Sequence, residues 1–247
     1  MEYIDSAVME ALLENGEAFR QKRPYPYASI QGFLREDAFA TLCRESPSPE
    51  DMQQEKRRRA HGQQTHERLS LQVVPAVEDR LSSHWRNFLA ELRSPAYLDF
   101  WRQMLGLSRR SPVLLSMHWH YAPAGASVSP HTDARRKLGS HIFYLNTPAD
   151  WQEDWGGQTL VLDDGGRFPR HSAPGYEDLE LVAASTVLGN RSFLFAQTDH
   201  SWHAVRELRN PPGHLRKVFI VVANRLSFQV LSRRLRGKDP DGFRLRG

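Results

Sequence analysis

SMHWHYAPAGASVSPHTDARRKLGSHIFYLN, Ser116 to Asn146, holds the chemistry on which the chain's reading turns. An apolar run ends at Tyr121, a Pro-Ala-Gly turn follows, and His131 and Asp133 then stand two positions apart. On an extended backbone residues i and i+2 leave the same face, so this imidazole and this carboxylate are able to close on one ion. A third ligand has to come from elsewhere. Two imidazoles and one carboxylate on one side of an octahedral metal leave three positions open, the arrangement of non-heme iron(II) sites. Catalytic zinc keeps only one position open.

The His-x-Asp triplet carries little weight by itself in a chain with 11 histidines; its surroundings carry more. After a polar loop comes HIFYLN, read as a strand, then Trp155-Gly156-Gly157 and the strand QTLVLDD. A further strand carries FLFAQ, a polar turn follows, and SWHAV presents His203; Arg216 then opens RKVFIVVAN. In this order, Tyr, His-x-Asp, Tyr-Leu-Asn, Gly-Gly, His-x-Val and Arg, the stretch from Leu115 to Asn224 resembles the prolyl-hydroxylase-like branch of the iron(II)/2-oxoglutarate dioxygenases.

The resemblance implies metal ligands at His131, Asp133 and His203, and 2-oxoglutarate contacts at Tyr144 and Arg216, with Tyr121 lining the same pocket. Arg216 lies 13 residues after His203, farther than is usual in the family, a difference the loop NPPG absorbs. It is in phase with Val218, Ile220 and Val222, and its planar fork suits a carboxylate better than neighbouring Lys217 does. His200 is the rival third ligand; as an alternative role it steadies the turn with Asp199. If Tyr121 faces the pocket, strand alternation turns His118 and His120 away from it, and His141 points opposite to Tyr144. Asp163 and Asp164 read as hairpin-turn residues.

The implied activity is hydroxylation of an unactivated C–H bond of an amino acid or other small metabolite, with iron(II), 2-oxoglutarate and O2, releasing succinate and CO2. A peptidyl, prolyl-type hydroxylase is the alternative, ahead of a nucleic-acid demethylase or a non-catalytic jelly-roll binding protein. Arg135 and Arg136, just after the proposed ligands, are weak candidates for substrate contacts that would favour an anionic group. No catalytic residue beyond the metal site is expected.

The rest of the chain frames this segment. Its 247 residues, 40% apolar, suffice for one large domain, expected to comprise a helical support region at 1–110, a double-stranded β-helix core at 111–226 and a basic segment at 227–247. The fold class is α+β, mainly β; the jelly-roll form is what the resemblance implies. One cysteine, Cys43, excludes an internal disulfide framework and fits a reducing cytoplasm. No run approaches the length of a membrane span, and the N-terminus lacks the pattern of a secretory signal. The net charge of +4 is uneven, since from residue 206 onward there are 11 Lys/Arg against 3 Asp/Glu. Without interleaved aromatics this tail is a poor stacking surface, so nucleic acid is not the expected partner.

Towards the N-terminus, Ile4, Val8, Ala11 and Leu12 recur at helical spacing, PYPYASIQGFL reads as a strand, and DAFATLCRE reads as a helix capped by Asp37. Residues 46–68 are charged and without apolar period, so they are expected to form a mobile loop or a charged helix end, with a possible role as a lid. Val77 to Leu92 and SPAYLDFWRQMLG read as helices backing one face of a sheet.

Overall fold

In the computed structural model, which describes residues 1–58, 65–226, 231, 232 and 235, most helices precede most strands. The helices are α1 (Ser6–Glu14), α2 (Gly16–Gln21), α3 (Glu36–Arg44), α4 (Pro75–Glu78), α5 (Ser83–Leu92) and α6 (Pro95–Met104). The strands are β1 (Tyr27–Gln31), β2 (Gln53–Arg58), β3 (Thr65–Gln72), β4 (Val113–Ala122), β5 (Val128–His131) and β6 (Lys137–Tyr144). They continue with β7 (Leu160–Asp163), β8 (Glu180–Ala184), β9 (Arg191–Ala196), β10 (Trp202–Val205) and β11 (Arg216–Arg225).

All strand pairs are antiparallel, in the order β1-β9-β6-β11-β4-β3-β5-β10-β7-β8, with β2 paired to β3 off this path. The joint between β3 and β5 is the single pair His66 with Val128. There the sheet folds over, bringing β5-β10-β7-β8 to face the larger half, and the two halves enclose a cavity. This is the jelly-roll core.

The central strands of the larger half are covered on both faces. Met117, Trp119 and Tyr121 of β4, Phe143 of β6, and Phe219 and Val221 of β11 share one core with Trp85, Phe88 and Leu92 of α5 and Tyr97, Phe100 and Trp101 of α6. Trp85 stands edge-on to Trp119, 4.8 Å between centroids, and to Phe219 at 5.0 Å, the geometry that ring quadrupoles favour. Ser82 and Ser94 start α5 and α6 by accepting bonds from the backbone N–H groups of Trp85 and Tyr97. The other face carries Ile142, Tyr144 and Val218, which meet Val161, Phe193 and Phe195.

Three expectations are corrected here. Tyr121 lies on the helix side, buried, with its hydroxyl donating to the Pro47 carbonyl at 3.1 Å, while His118, His120 and Ala122 line the cavity. Alternation separates two faces but does not say which is inner when both are covered. Packing decided it, because the large rings fill the space under the helices. Asp37 does not cap α3, whose N-cap is Arg35 without a side-chain bond; Asp37 sits in the first turn, where its charge suits the helix dipole.

Residues 46–68 are not a loop throughout, since β2 and β3 form a hairpin in which Glu55 pairs with Arg68 and Lys56 with Glu67. Those cross-strand pairs are ion pairs, 3.1 and 2.7 Å long. A charged stretch with no apolar period still forms strands when opposite charges fall in register. The suggested lid has its middle, 59–64, outside the described residues, as is most of the basic segment 227–247.

Candidate metal centre

β5 and β10 pair so that His131 and His203 are direct cross-strand partners, and their rings lie 4.2 Å apart between centroids. Asp133 is placed differently from its expected strand position, since β5 ends at His131. Its backbone carbonyl accepts from Gln197 Nε2 at 2.9 Å and from the Arg170 guanidinium, and Thr132 Oγ1 donates to the Arg170 carbonyl at 2.9 Å. These bonds fix the turn that returns the carboxylate to the two rings. His131, Asp133 and His203 each offer a ligand atom, all within 4.8 Å of one another, and they form the one such group of three or more potential metal ligands among the described residues.

The protonation states favour a cation. His131 Nδ1 donates to the Ser129 carbonyl and His203 Nδ1 to the Ser201 carbonyl, both at 2.9 Å. A carbonyl only accepts, so Nδ1 carries the proton and Nε2 is the lone-pair nitrogen of each ring. Burial first, and then the neighbouring His203, push the His131 ring down to about 3, and burial lowers His203, so both rings are neutral. Burial alone would raise the Asp133 carboxyl, but the Lys137 ammonium bonded to it outweighs that and holds the acid ionised well below the usual range. Lys137 Nζ lies 2.9 Å from Asp133 Oδ1, which leaves Oδ2 to bind singly. Two neutral imidazoles and a carboxylate at one side of an open cavity suit iron(II).

The cavity, about 480 Å³, also receives Arg216, Val218, Ile220 and Val222 of β11, in the phase expected. Arg216 is buried, and its Nε donates to the Gly157 carbonyl at 2.6 Å. Gly157 has φ +93°, and a Cβ there would stand 3.0 Å from Arg216 Cδ, so this second glycine of the Gly-Gly pair is required by backbone and by space alike. Lys217 points the other way, to Asp150 at 2.7 Å.

Tyr144 stands behind this wall, its ring centroid 5.6 Å from the Arg216 guanidinium carbon and its hydroxyl bonded to Thr159 Oγ1 at 2.8 Å and Ser185 Oγ at 2.5 Å. Thr159, not foreseen, is the hydroxyl of this set that lines the cavity; its phase with inward Val161 was the available signal.

His200 is spoken for elsewhere: its Nδ1 lies 2.9 Å from Asp164 Oδ2, so its partner is Asp164 rather than Asp199. Asp163 and Asp164 accept from the backbone N–H groups of Gly165 and Gly166, as turn residues do. His141 faces the helices, bonded to the Tyr97 hydroxyl and Ser192 Oγ, both at 3.0 Å. Arg135 is exposed and paired with Asp199, whereas Arg136 lines the cavity. His118 and His120 also line the cavity, against the phase expected for β4, and so do His66 of β3 and His171 of the loop after β7, whose place follows from no periodicity in the sequence. Among the described residues, no helix is long and apolar enough to cross a membrane.

The description 2OG-Fe(II) oxygenase superfamily matches residues 116–224. Among solved structures the chain is similar to a Pseudomonas putida prolyl-4-hydroxylase, with TM-score 0.57 and 18% identity over 89% of this chain and 100% of that one. It is similar also to a Trichoplax adhaerens prolyl hydroxylase in complex with a hypoxia inducible factor peptide fragment, with TM-score 0.59 and 11% identity over 90% and 94%. The alpha-ketoglutarate-dependent carbocyclase SnoK from nogalamycin biosynthesis gives TM-score 0.60 and 15% identity over 97% and 96%. At such identities the likeness is one of fold. No curated protein matches the chain.

Proposed function

We propose that this protein, whose residues 116–224 match the 2OG-Fe(II) oxygenase superfamily, enzymes that use iron(II), 2-oxoglutarate and O2, hydroxylates a small metabolite. The observation that carries the reading is the group formed by His131, Asp133 and His203 in the same cavity as buried Arg216. When bound, iron(II) with 2-oxoglutarate supplies an oxidant from O2, one oxygen atom leaving in succinate and the other entering the substrate C–H bond, with CO2 released.

The chain's own contribution is positioning. His131 and His203 offer Nε2, and Asp133 binds through one oxygen while Lys137 holds the other. With its Nε tied to Gly157 and Tyr144 beside it, Arg216 would turn its guanidinium to the distal carboxylate of the co-substrate, a charge-assisted contact in a site of low dielectric. Thr159 supplies a hydroxyl beside it, and Tyr144 braces Thr159. Ile142, Phe195, Val218 and Ile220 form apolar walls that limit water. A volume of about 480 Å³ is in the lower part of the roughly 300–1,000 Å³ range of small-molecule pockets.

The test is anaerobic titration with iron(II) and 2-oxoglutarate. One iron per chain and a weak visible charge-transfer band are expected, with both lost in His203→Ala and retained in His200→Ala; the reverse would displace the third ligand. Product mass of +16 on metabolites or on peptides then decides between the small-molecule and peptidyl readings.

A further inference from the structure

The three ligand-bearing residues are not held alike. His131 and His203 are register partners on β5 and β10, so the ladder between those strands sets the distance from ring to ring. Asp133 lies beyond the end of β5, where that ladder does not reach. Its distance from His203 has to be set by side chains, because a site that closes on a cation needs its ligand atoms placed before the cation arrives.

Gln197 spans that gap. It follows β9 directly, and its own N–H donates to the Leu138 carbonyl of β6 at 2.9 Å, which fixes where the side chain starts. Its Nε2 donates to the Asp133 carbonyl at 2.9 Å, and its Oε1 accepts from Ser201 Oγ at 2.8 Å, the nearer of that hydroxyl's two acceptors. Ser201 is fully buried, and its carbonyl is the acceptor that holds His203 Nδ1 at 2.9 Å. One side chain thus grips the backbone of Asp133 with its donor end and, with its acceptor end, the residue that orients His203. An amide can do both, whereas a carboxylate offers acceptors only and an aliphatic chain offers neither.

A second bond to the Asp133 carbonyl comes from the Arg170 guanidinium, which also lies 3.6 Å from Asp199 in the turn that Gln197 begins. Asp199 is exposed, so this link to the turn is weak. The bond from Arg170 still holds the Asp133 turn when Gln197 is changed, which separates loss of coupling from loss of fold.

We propose that Gln197 is a positioning residue that couples two of the three metal ligands, Asp133 through its backbone and His203 through Ser201, and so sets the spacing of the site. The proposal rests on the oxygenase reading only for the identity of the metal.

The experiment titrates the full, metal-free chain with Co(II), without oxygen or 2-oxoglutarate. It reads the dissociation constant and the visible d–d bands, which report ligand geometry. Gln197→Leu should weaken binding about 10- to 100-fold, the usual range for partners of metal ligands, and alter the bands, with the melting temperature of the metal-free chain nearly unchanged. Ser201→Ala should act in the same direction, and the double variant should bind no more weakly than the weaker single variant, since both cut one tie. Gln197→Glu keeps an acceptor for Ser201 but turns oxygen toward the Asp133 carbonyl, and it serves also if the leucine variant fails to fold. It should bind Co(II) less tightly, although its added negative charge alone would tighten binding. Native affinity and bands in Gln197→Leu, additive losses in the double variant, or unchanged or tighter binding in Gln197→Glu would overturn the proposal. Failure of the unaltered chain to bind Co(II) would overturn the metal site and the proposal together. Co(II) binding as expected in a chain whose iron(II) form consumes no 2-oxoglutarate would sink the oxygenase reading alone.

Discussion

The two faces of β4, β6 and β11 do opposite work with the same backbone. The helix-side face is large and aromatic, with Trp119, Phe143 and Phe219 closed under α5 and α6. The cavity-side face mixes aliphatic residues with His118, His120 and Arg216 and stays open. The first face is where stability resides, and the second can bear polar groups because the first has secured the sheet. Alternation with period two lets one strand serve both.

That division is most sharply tested at Trp119. Replacing this fully buried ring by alanine should cost about 3–5 kcal/mol, read as a lower midpoint in urea, with the 2-oxoglutarate KM of the surviving folded protein nearly unchanged. If the co-substrate KM moved and stability did not, the two faces of β4 would have been exchanged.

Next in size is Arg216→Ala on the cavity face. Removing the partner of a buried carboxylate costs on the order of 2–4 kcal/mol, so the 2-oxoglutarate KM should rise roughly 30- to 1000-fold. Lys217→Ala, on the other face and paired with Asp150, should leave that KM near its starting value. Opposite behaviour of the two would put the register of β11 off by one.

Acid should expose a further difference. Burial pushes His141 from an ordinary 6.5 to about 3, so the unfolded chain binds its proton first and stability is lost as pH falls below 6.5. By pH 5 this one ring should remove about 2 kcal/mol at 1.36 kcal/mol per unit, seen as a falling melting temperature of metal-free protein between pH 7 and 5. His141→Gln should flatten part of that slope. An unchanged slope would mean that the helix-side ring is not what titrates.

The smallest effect is expected at Tyr121. Tyr121→Phe deletes one hydrogen bond to the Pro47 carbonyl, worth about 1 kcal/mol, and should not alter 2-oxoglutarate dependence. A tenfold rise in that KM would return Tyr121 to the cavity.

Much was legible without coordinates. His131, Asp133 and Arg216 stood in recognisable order, and the phase of β11 followed from the resemblance that singled out Arg216, since both faces of RKVFIVVAN are apolar. The phase of β4 was not legible, since Trp119 and Tyr121 on one side and His118 and His120 on the other are both compatible with burial once a helical layer lies behind. The hairpin of β2 and β3 was hidden for another reason. Its strands are held by charge pairs between residues 11 and 13 apart, and apolar periodicity does not register them.

By itself the sequence determined the chemistry available: which residues can bind a cation, which guanidinium can meet a carboxylate, and which apolar runs form strands. These are local properties of residue type and spacing. Only the tertiary structure decided which face of β4 looks inward, that Asp133 is steered by Arg170 and Gln197, and that His66, Arg68, His118 and His120 share one wall. The reason is physical. A strand's two sides become inside and outside only when other layers pack against them, and those layers come from segments far away in the chain.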